Sequence, residues 1–331
     1  MGSITQIQLS FILFLQELGE WLKTPMLFFS FLGSEYFYLV ALPFLYWCVD
    51  ARLGLQFAAM TVIGNFASST LKLIFQAPRP FWVDARVQPL TAETSFGMPS
   101  GHATHAASTW GVLGGFFKKR WIVITIIIII FLIGFSRLYL GVHFPSQVLA
   151  GWVVGSLLLF LMLKFSKPLM KWFLKYPLAA QIGIIFLAAL IMAGGLILLT
   201  LPLQDGQYPS EWVSLGSRPL NGEPFNPIDL EGAFTLAGTW FGGFAGAAWY
   251  FHRYGLLSAT GSSLQKALRF LLGVVVLFAL WYGLGEIFPR TADVAAYLLR
   301  FVRYSLLGLW MTIGAPWIFK KLNLLTGSPA K

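Results

Sequence analysis

Long apolar segments dominate this chain and decide the kind of fold it can adopt. Runs with almost no charge cover 121–138, 146–163 and 180–201, and more follow toward the C-terminus. A helix needs about 20 such residues to cross the hydrocarbon core of a bilayer. Because lipid offers the backbone no hydrogen-bond partner, a spanning segment must be a helix or part of a closed barrel, and unbroken apolar runs do not fit a barrel strand. The sequence therefore predicts an all-α, polytopic integral membrane helical bundle.

The composition agrees with a membrane protein and argues against a nucleic-acid-binding one. The chain is 57% hydrophobic and 11% charged, whereas a soluble domain carries about 25% charged residues. The net charge of +10 is explained by basic residues in short loops, which orient membrane helices. We expect membrane lipids around the protein and no nucleic acid as partner, and the sequence leaves the oligomeric state open.

The N-terminal segment, 1–24, is predicted to be an amphipathic helix lying at the membrane interface. Its apolar side chains recur at helical spacing on one face, with glutamines and glutamates off that face. The members of the apolar face are Ile7, Phe11, Phe14, Leu15, Leu18, Trp21 and Leu22.

The remaining chain divides into a core, 25–201, and a C-terminal part, 202–331. The C-terminal part begins with an outer loop, 202–231, and its helices are expected to pack with the core as one unit. About nine spans of suitable length are predicted, at 25–48, 53–75, 100–117, 121–138, 146–163, 180–201, 232–252, 268–287 and 294–318.

Loop charges predict which side of the membrane each loop faces. One side receives most loop lysines, including Lys118, Lys119 and those within 164–175, and the other receives most acidic residues. Lys and Arg concentrate in cytoplasmic loops, so the acidic side faces the periplasm, cell exterior or organelle lumen. Three polar clusters within 72–147 fall on this outer side.

The first cluster pairs Lys72, at the end of a span, with Arg79 in a loop stiffened by Pro78 and Pro80. Arg offers a planar fork of donors that matches phosphate oxygens, and Lys offers a compact charge. Basic residues at membrane ends are also common interfacial anchors, so this cluster alone leaves both interpretations open.

The second cluster, Pro99-Ser100-Gly101-His102, immediately precedes a span. Ser100 suits a helix N-cap, Gly101 leaves room for a phosphate, and His102 would lie near a leaving oxygen. A capped helix start with an incidental histidine fits equally well. His105 lies one turn further on and is expected to serve hydrogen bonding or packing.

The third cluster contains Arg137, at the end of a span, and His143 followed by Gln147. His143 and Gln147 are four apart and are neighbours if a helix begins near Phe144. The side-chain oxygen of Gln147 could then accept from Nδ1–H and leave Nε2 free to attack. A metal site would want carboxylates beside the histidines, and here only Glu93 is near in sequence, so we expect no metal.

Together, the three clusters resemble the motifs of the type 2 phosphatidic acid phosphatase superfamily, shared with vanadium haloperoxidases. That pattern reads Lys-x6-Arg-Pro, Pro-Ser-Gly-His and Ser-Arg-x5-His-x3-Asp. The chain matches all of it except the last position, where the family's Asp is Gln147. The glucose-6-phosphatase branch also reads His-Phe-Pro-x-Gln there, and it resembles this chain in its roughly nine spans.

The resemblance implies a role for each matching residue. His143 would attack phosphorus, and His102 would protonate the leaving oxygen and then activate water. Lys72, Arg79 and Arg137 would bind the phosphoryl oxygens. Ser100 and the Gly101 N–H would complete the cradle, and Gln147 would replace the orienting acid. Such enzymes need no metal or other cofactor, and a phosphohistidine forms on the way.

These expectations define a phosphatase that cleaves phosphate monoesters or pyrophosphates on the outer membrane face. Lipid substrates of the isoprenyl or phosphatidate type are the first choice, because lipid headgroups reach the ends of the spans. A sugar phosphate is the alternative that the glucose-6-phosphatase likeness suggests. A catalytically silent binder or transporter of phosphate ligands is a further alternative, and the replacement at Gln147 keeps it open.

Two further features lie outside the motifs. Gly238, Gly242 and Gly246 repeat every four residues and predict close helix packing inside the protein rather than dimerisation. Arg300 and Arg303 fall inside the last apolar segment, where arginines are costly and often functional. They either pair with Glu286 or Asp293, or snorkel, or extend the anion site toward a second phosphate or a lipid headgroup.

Overall fold

The computed structural model of the chain is built from helices. It describes residues 2–204, 206–218, 225–289 and 291–325, and within these ranges there is no β-strand. The all-α prediction is therefore confirmed for the described residues. Parts of the expected 202–231 loop and of the C-terminal end lie outside them.

In the described part of the chain, fifteen α-helices follow one another. They are α1 Ser3–Glu17, α2 Lys23–Phe31, α3 Glu35–Phe44, α4 Ala51–Phe75, α5 Pro80–Val83, α6 Gly101–His105, α7 Gly111–Phe117, α8 Arg120–Tyr139, α9 Pro145–Phe173, α10 Leu178–Thr200, α11 Ser210–Gly216, α12 Glu231–Tyr254, α13 Ser263–Ile287, α14 Val294–Leu309 and α15 Ala315–Lys321. Single π-helical turns lie at Leu45–Val49, Ala106–Trp110 and Trp310–Gly314, and 3₁₀ turns at Glu20–Leu22 and Leu201–Leu203.

Six stretches among the described residues are long and apolar enough to cross a membrane. They are Ala51–Val83, Arg120–Tyr139, Pro145–Phe173, Leu178–Leu203, Ser263–Ile287 and Val294–Lys321. A pair bent by 49°, Glu20–Phe31 with Glu35–Val49, would raise the number to seven. The other two expected spans are helical but do not qualify: 100–117 is divided between α6, a π turn and α7, and 232–252 corresponds to the glycine-rich α12. Nine spans therefore stay a prediction.

The chain forms two compact units. The first contains Met1–Tyr38, Ile63–Leu161 and Leu198–Asp229, and the second contains Leu39–Val62, Met162–Ile197 and Leu230–Lys331. All three polar clusters belong to the first unit. The domain boundaries expected at 24 and 201 stay predictions.

The core of the first unit surrounds the segments that carry the polar clusters. Trp82 of α5 and Phe96 are almost fully buried and lie within 6.2 Å of each other, measured between ring centroids. Trp212 of α11 and Phe225 cover Trp82 from the outer loop, at 6.0 and 4.8 Å. Burial of large aromatic side chains contributes most of the stability of a packed core. The described part of the outer loop therefore belongs structurally with the motif segments.

The N-terminal helix is shorter than predicted and apolar on two sides. It ends at Glu17 because Gly19 adopts a φ of +104°, which the helix cannot continue through. Leu9, Ile12 and Leu15 are buried in the core, so Leu15 does not belong to the expected apolar face. The exposed side carries most of the expected face, namely Ile7, Phe11, Phe14, and beyond the helix Leu18 and Trp21, and it also carries Ile4.

In the second unit, the glycine repeat lets α12 approach α14 closely. A Cβ added to Gly242 would lie 2.0 Å from the Ser305 carbonyl oxygen, and one on Gly238 would lie 2.4 Å from that of Phe301. Only a hydrogen at these positions permits such a contact between helix backbones. The prediction that these glycines serve packing within the chain is confirmed.

The two intramembrane arginines also belong to the second unit. Arg300 forms an ion pair with Glu231, and its Nε donates to the Thr235 hydroxyl at 2.8 Å. Arg303 donates to the carbonyl of Trp281 and lies over that ring, with 5.7 Å from Cζ to the ring centroid. The acid that pairs with Arg300 is thus Glu231, rather than a neighbour within 286–293.

Candidate active site

The first polar cluster ends α4 and continues into a tight connection. Lys72 lies in the last turn of α4, and Arg79 precedes α5. Pro80 opens α5, as proline favours the first position of a helix. Lys72 Nζ and Arg79 Nη2 both donate to the hydroxyl of Ser95, at 2.9 and 3.2 Å. The two cations therefore converge on one side chain, and Arg79 is fully buried there.

The second cluster begins α6 beside the first. Ser100 caps this helix, because its hydroxyl accepts from the Ala103 N–H at 3.4 Å. A Cβ added to Gly101 would lie 3.8 Å from Lys72 Nζ, so the helix start faces the lysine. Gly151 of α9 allows this placement, since an added Cβ there would lie 2.7 Å from the Ser100 carbonyl oxygen.

The two histidines of α6 have different surroundings. His102 is half-buried, and its Cδ2 lies 3.0 Å from where a Cβ on Gly33 would be. His105 stacks on Tyr38 with ring centroids 5.8 Å apart, and its Nδ1 has no hydrogen-bond partner among the described residues. Of the two roles that the sequence allowed for His105, the structure supports packing.

His143, between α8 and α9, is held on both sides of its ring. Nδ1 lies 2.9 Å from the Gly97 carbonyl oxygen and 3.2 Å from Gln147 Oε1, and Nε2 lies 3.2 Å from Arg79 Nη1. Those oxygens can only accept and a guanidinium can only donate. The proton therefore lies on Nδ1, and Nε2 presents a lone pair. This is the tautomer predicted from the His143–Gln147 spacing.

Gln147 connects all three clusters through its side-chain amide and its backbone carbonyl. Its Oε1 also accepts from the Phe144 N–H at 3.1 Å, and its Nε2 donates to the Pro78 carbonyl at 2.8 Å. Its backbone carbonyl accepts from the Ser100 N–H at 2.9 Å. Gln147 therefore links the histidine to the loop before Arg79 and to the start of α6.

Arg137 ends α8 and meets Arg79 through a shared carboxylate. Glu93 Oε2 accepts from Arg79 Nη2 at 3.0 Å, and Oε1 accepts from Arg137 Nη2. Arg137 Nη1 donates to the hydroxyl of Ser30. Both guanidiniums are buried, while the Glu93 side chain is 19% exposed. Of the three side chains, Glu93 is thus the least deeply buried.

Sequence reasoning missed three residues of this site: Glu93, Ser95 and Ser30. Glu93 was considered only as a metal ligand, although an acid in the segment just before the second cluster was a signal that it faces the cations. Ser95 and Ser30 are ordinary polar residues near apolar runs, and no local pattern marks them.

Buried charges shift the pKa values of the groups that lie outside the spans. Burial raises the pKa of Glu93, but Arg79 and then Arg137 outweigh it and hold that pKa well below its usual range. Burial, followed by the charges of the same arginines, lowers the pKa of His143 well below its usual range, and Glu93 partly opposes them. At neutral pH the site holds an ionised carboxylate and a neutral imidazole.

The structure brings the predicted site residues together in one unit. Arg79 is common to three contacts: it meets Lys72 through Ser95, Arg137 through Glu93, and His143 directly. Three cations around a neutral imidazole can bind a tetrahedral anion and present a nitrogen to its central atom. Within the described ranges, no three His, Cys, Asp or Glu side chains could hold a metal ion together, and metal independence stays a prediction.

Comparison with known proteins assigns the family. The PAP2 superfamily model matches residues 53–171, which include all three clusters. The model described as PAP2 superfamily phosphatase, transmembrane extension, matches 234–328, and the two matches together cover more than half of the chain. The chain belongs to the PAP2 superfamily. This confirms the resemblance drawn from the motifs and identifies a multi-pass membrane protein.

Several named relatives align with the PAP2 chain. Phosphatidylglycerophosphatase B of Bacillus subtilis is 38% identical over 25% of this chain and 45% of its own length. Undecaprenyl-diphosphatase of Sulfolobus acidocaldarius is 33% identical over 41% of this chain and 66% of its own length. Mouse glucose-6-phosphatase 3 is 25% identical over 91% of both chains. The chain thus spans less than two thirds of the first two relatives and most of the third.

A solved structure also resembles the PAP2 chain. It is the transmembrane PAP2-type phosphatidylglycerolphosphate phosphatase of Bacillus subtilis, with 26% identity and a TM-score of 0.44. The likeness covers 51% of this chain and 88% of that one.

Proposed function

We propose that this PAP2 protein is a metal-independent phosphatase that hydrolyses phosphate monoesters or pyrophosphates through a phosphohistidine. The observation that carries the proposal is His143. Its Nδ1–H is fixed by Gly97 and Gln147, and its Nε2 lone pair lies beside the guanidinium of Arg79. A nucleophilic imidazole needs one nitrogen anchored through its proton and the other carrying a lone pair, which here accepts from Arg79 until substrate binds.

In the first step, Nε2 of His143 attacks phosphorus. The N–P bond forms as the bond to the leaving oxygen breaks, and His102, which enters the step in its protonated form, donates a proton to that oxygen and becomes neutral. Arg79, Arg137 and Lys72 bind the phosphoryl oxygens, with Ser100 and Gly101 beside them, and offset the charge that develops. Phosphoryl transfer depends mainly on such positioning and charge stabilisation.

In the second step, His102 removes a proton from water, which attacks the phosphohistidine. The N–P bond breaks and inorganic phosphate forms, while His143 returns to its neutral form. The lowered pKa of His143 favours its departure as a neutral imidazole. No redox partner or metal enters either step.

A lipid phosphate, of the isoprenyl or phosphatidate type, is the first candidate substrate. Helix α1, which carries an exposed apolar side, packs against a site segment, because Gln8 accepts from the Ser146 N–H at 2.9 Å. Gln16 donates to the Gln88 carbonyl at 2.7 Å. An interfacial helix docked on the site segments would bring lipid headgroups to the cations. We also propose that the site faces outward, from the loop charges.

A sugar phosphate is the second candidate. The alignment with mouse glucose-6-phosphatase 3 extends over 91% of both chains, whereas the two lipid phosphatases named above align with less than half of this chain. Gln147, in the place of the family's Asp, is consistent with the same branch.

Trapping of a labelled phosphoprotein tests the proposal. The purified protein is given ³²P-labelled phosphatidate, an isoprenyl pyrophosphate or glucose 6-phosphate, with and without chelator, and is quenched at alkaline pH, where phosphohistidine survives. We expect label in the wild type and in His252→Gln, a control histidine of α12, and none in His143→Gln. Label retained by His143→Gln, or no hydrolysis of any substrate by the wild type, would overturn the proposal.

A further inference from the structure

The carboxylate of Glu93 occupies the position between the two buried arginines. Each of its oxygens accepts from a different guanidinium, Oε2 from Arg79 and Oε1 from Arg137. Two oxygens on one central atom, bridging two guanidiniums, reproduce two of the three oxygens that a phosphoryl group would present to them. The Glu93 side chain is 19% exposed while both arginines are buried, so it is the one of the three side chains that solvent reaches.

The hydrogen bonds of Arg79 show that a second anion cannot simply be added. A guanidinium has five N–H donors. Here Nε donates to the Ser95 carbonyl and Nη1 faces the Val142 carbonyl and His143 Nε2. Nη2 donates to Glu93 and to the Ser95 hydroxyl. A phosphoryl oxygen must therefore displace one of the side-chain acceptors. Glu93 is the acceptor that is negatively charged, as the phosphoryl group is, so the two anions would repel each other.

Arg137, on the other side of Glu93, is less fully hydrogen-bonded than Arg79 among the described residues. Its Nη2 donates to Glu93 and its Nη1 to Ser30, and Nε has no hydrogen-bond partner among the described residues. A buried donor without a partner is costly. A ligand with more acceptor oxygens than a carboxylate could satisfy Nε as well, which favours exchange of Glu93 for phosphate.

We propose that Glu93 is an internal competitor of the phosphate group and sets the affinity of the site for anions. In the ligand-free protein its carboxylate holds Arg79 and Arg137 together and offsets the repulsion among three cations. Substrate displaces it, and after hydrolysis it returns and helps expel inorganic phosphate. This inference rests on the proposed function for the identity of the ligand, and Glu93 becomes a residue that limits product inhibition.

Binding of inorganic phosphate to the purified protein tests the inference without requiring turnover. The dissociation constant is measured from the phosphate-dependent shift of thermal unfolding, and the inhibition constant from competition with substrate. Glu93→Gln keeps the size of the side chain and removes its charge. We expect it to bind phosphate about tenfold more tightly than wild type, and to unfold at a lower temperature without ligand.

Two further variants complete the test. Glu211→Gln, at an exposed position of α11, removes the same charge away from the arginines and is expected to bind phosphate like wild type. Glu93→Asp keeps the charge but is one methylene too short to bridge both guanidiniums, so its phosphate affinity should lie between wild type and Glu93→Gln. Glu93→Asp also allows the phosphate affinity to be tested if Glu93→Gln does not fold.

The outcomes separate this inference from the proposed function. Equal or weaker phosphate binding by both Glu93 variants, in a protein that hydrolyses substrate, overturns the competitor role and leaves Glu93 as a structural brace. Tighter phosphate binding in a protein that hydrolyses no substrate supports the competitor role, although the proposed phosphatase function then fails.

Discussion

The side-chain amide of Gln147 joins the nucleophile candidate His143 to the loop that carries Arg79. Its oxygen accepts from His143 Nδ1 at 3.2 Å, and its nitrogen donates to the Pro78 carbonyl at 2.8 Å. The Asp that the family pattern places here could accept from the histidine but could not donate to a carbonyl. The glutamine thus replaces the charge of the acid with a second anchor.

Gln147→Glu should therefore reduce activity rather than restore it. The new carboxylate would face the Pro78 carbonyl, and the repulsion should tilt His143 away from phosphorus. We expect about 10- to 100-fold lower kcat for phosphate release, by analogy with the loss of the hydrogen-bond partner that orients a metal-binding histidine. Gln181→Glu is the matched control, because the buried Gln181 also donates to a backbone carbonyl, that of Tyr176, at 2.9 Å. A Gln147→Glu enzyme as active as wild type would show that the link to Pro78 is dispensable.

Gly97→Ala should damage the same network by steric conflict. The added Cβ would lie 2.5 Å from Gln147 Nε2 and 2.8 Å from the Pro78 carbonyl oxygen. Crowding a packed site costs about 1–3 kcal/mol, so both the unfolding temperature and kcat should fall. Gly183→Ala in α10 meets nothing within 4 Å, and alanine favours a helix over glycine. Equal unfolding temperatures for the two variants would contradict this contact.

The tautomer and partners of His143 show how far sequence reasoning could go. The spacing of His143 and Gln147 predicts their contact if a helix begins near Phe144, and the contact forms although α9 begins at Pro145. The second acceptor, the Gly97 carbonyl, could not be predicted, since it comes from a residue 46 positions earlier. Motif order thus identifies the reacting groups, while contacts across long sequence separations fix their geometry.

The same limit explains the missed residues and the uncertain spans. Glu93 becomes significant only when α4 and α8 bring Arg79 and Arg137 to it. The predicted span 100–117 is apolar enough, yet it is interrupted by a π turn, Ala106–Trp110, which no composition rule reveals. Long apolar runs predicted the helices, and packing decided where they break.

The pH dependence of kcat/KM should reveal the lowered pKa of His143. The reactive form is neutral, and its usual pKa is about 6.5. Burial and the charges of Arg79 and Arg137 lower this pKa, so the neutral form persists as pH falls below 6.5. The acid limb of kcat/KM, which reports the free enzyme, is therefore expected below pH 6.5.

Glu93→Gln should shift the acid limb of kcat/KM in a known direction. Glu93 raises the pKa of His143 against the cations, so removing its charge should move the acid limb further down. The charge of Lys72 also lowers the pKa of His143, and the substitution leaves Lys72 in place. Glu211→Gln should leave the limb in place. An acid limb that moves upward in Glu93→Gln would contradict the assignment of that limb to His143.

The exposed side of α1 should matter for lipid substrates alone. Ile7 and Phe14 are 69% and 55% exposed, and burying each in the bilayer interface stabilises docking by the apolar area removed from water. In lipid vesicles, the double variant Ile7→Gln and Phe14→Gln should raise KM for phosphatidate severalfold. Its KM for water-soluble p-nitrophenyl phosphate should stay unchanged, and an equal rise for both substrates would point to a folding defect instead.

Gly242→Ala should separate α12 from α14 in the second unit. The added Cβ would lie 2.0 Å from the Ser305 carbonyl oxygen, and a helix backbone cannot yield there without moving the whole helix. Overpacking of this kind costs about 1–3 kcal/mol. Gly243→Ala, one residue on, meets nothing within 4 Å and controls for the gain in helix propensity. Thermal unfolding in detergent should therefore show a lower midpoint for Gly242→Ala and an equal or higher one for Gly243→Ala. Equal midpoints would mean that the two helices are not in backbone contact at Gly242.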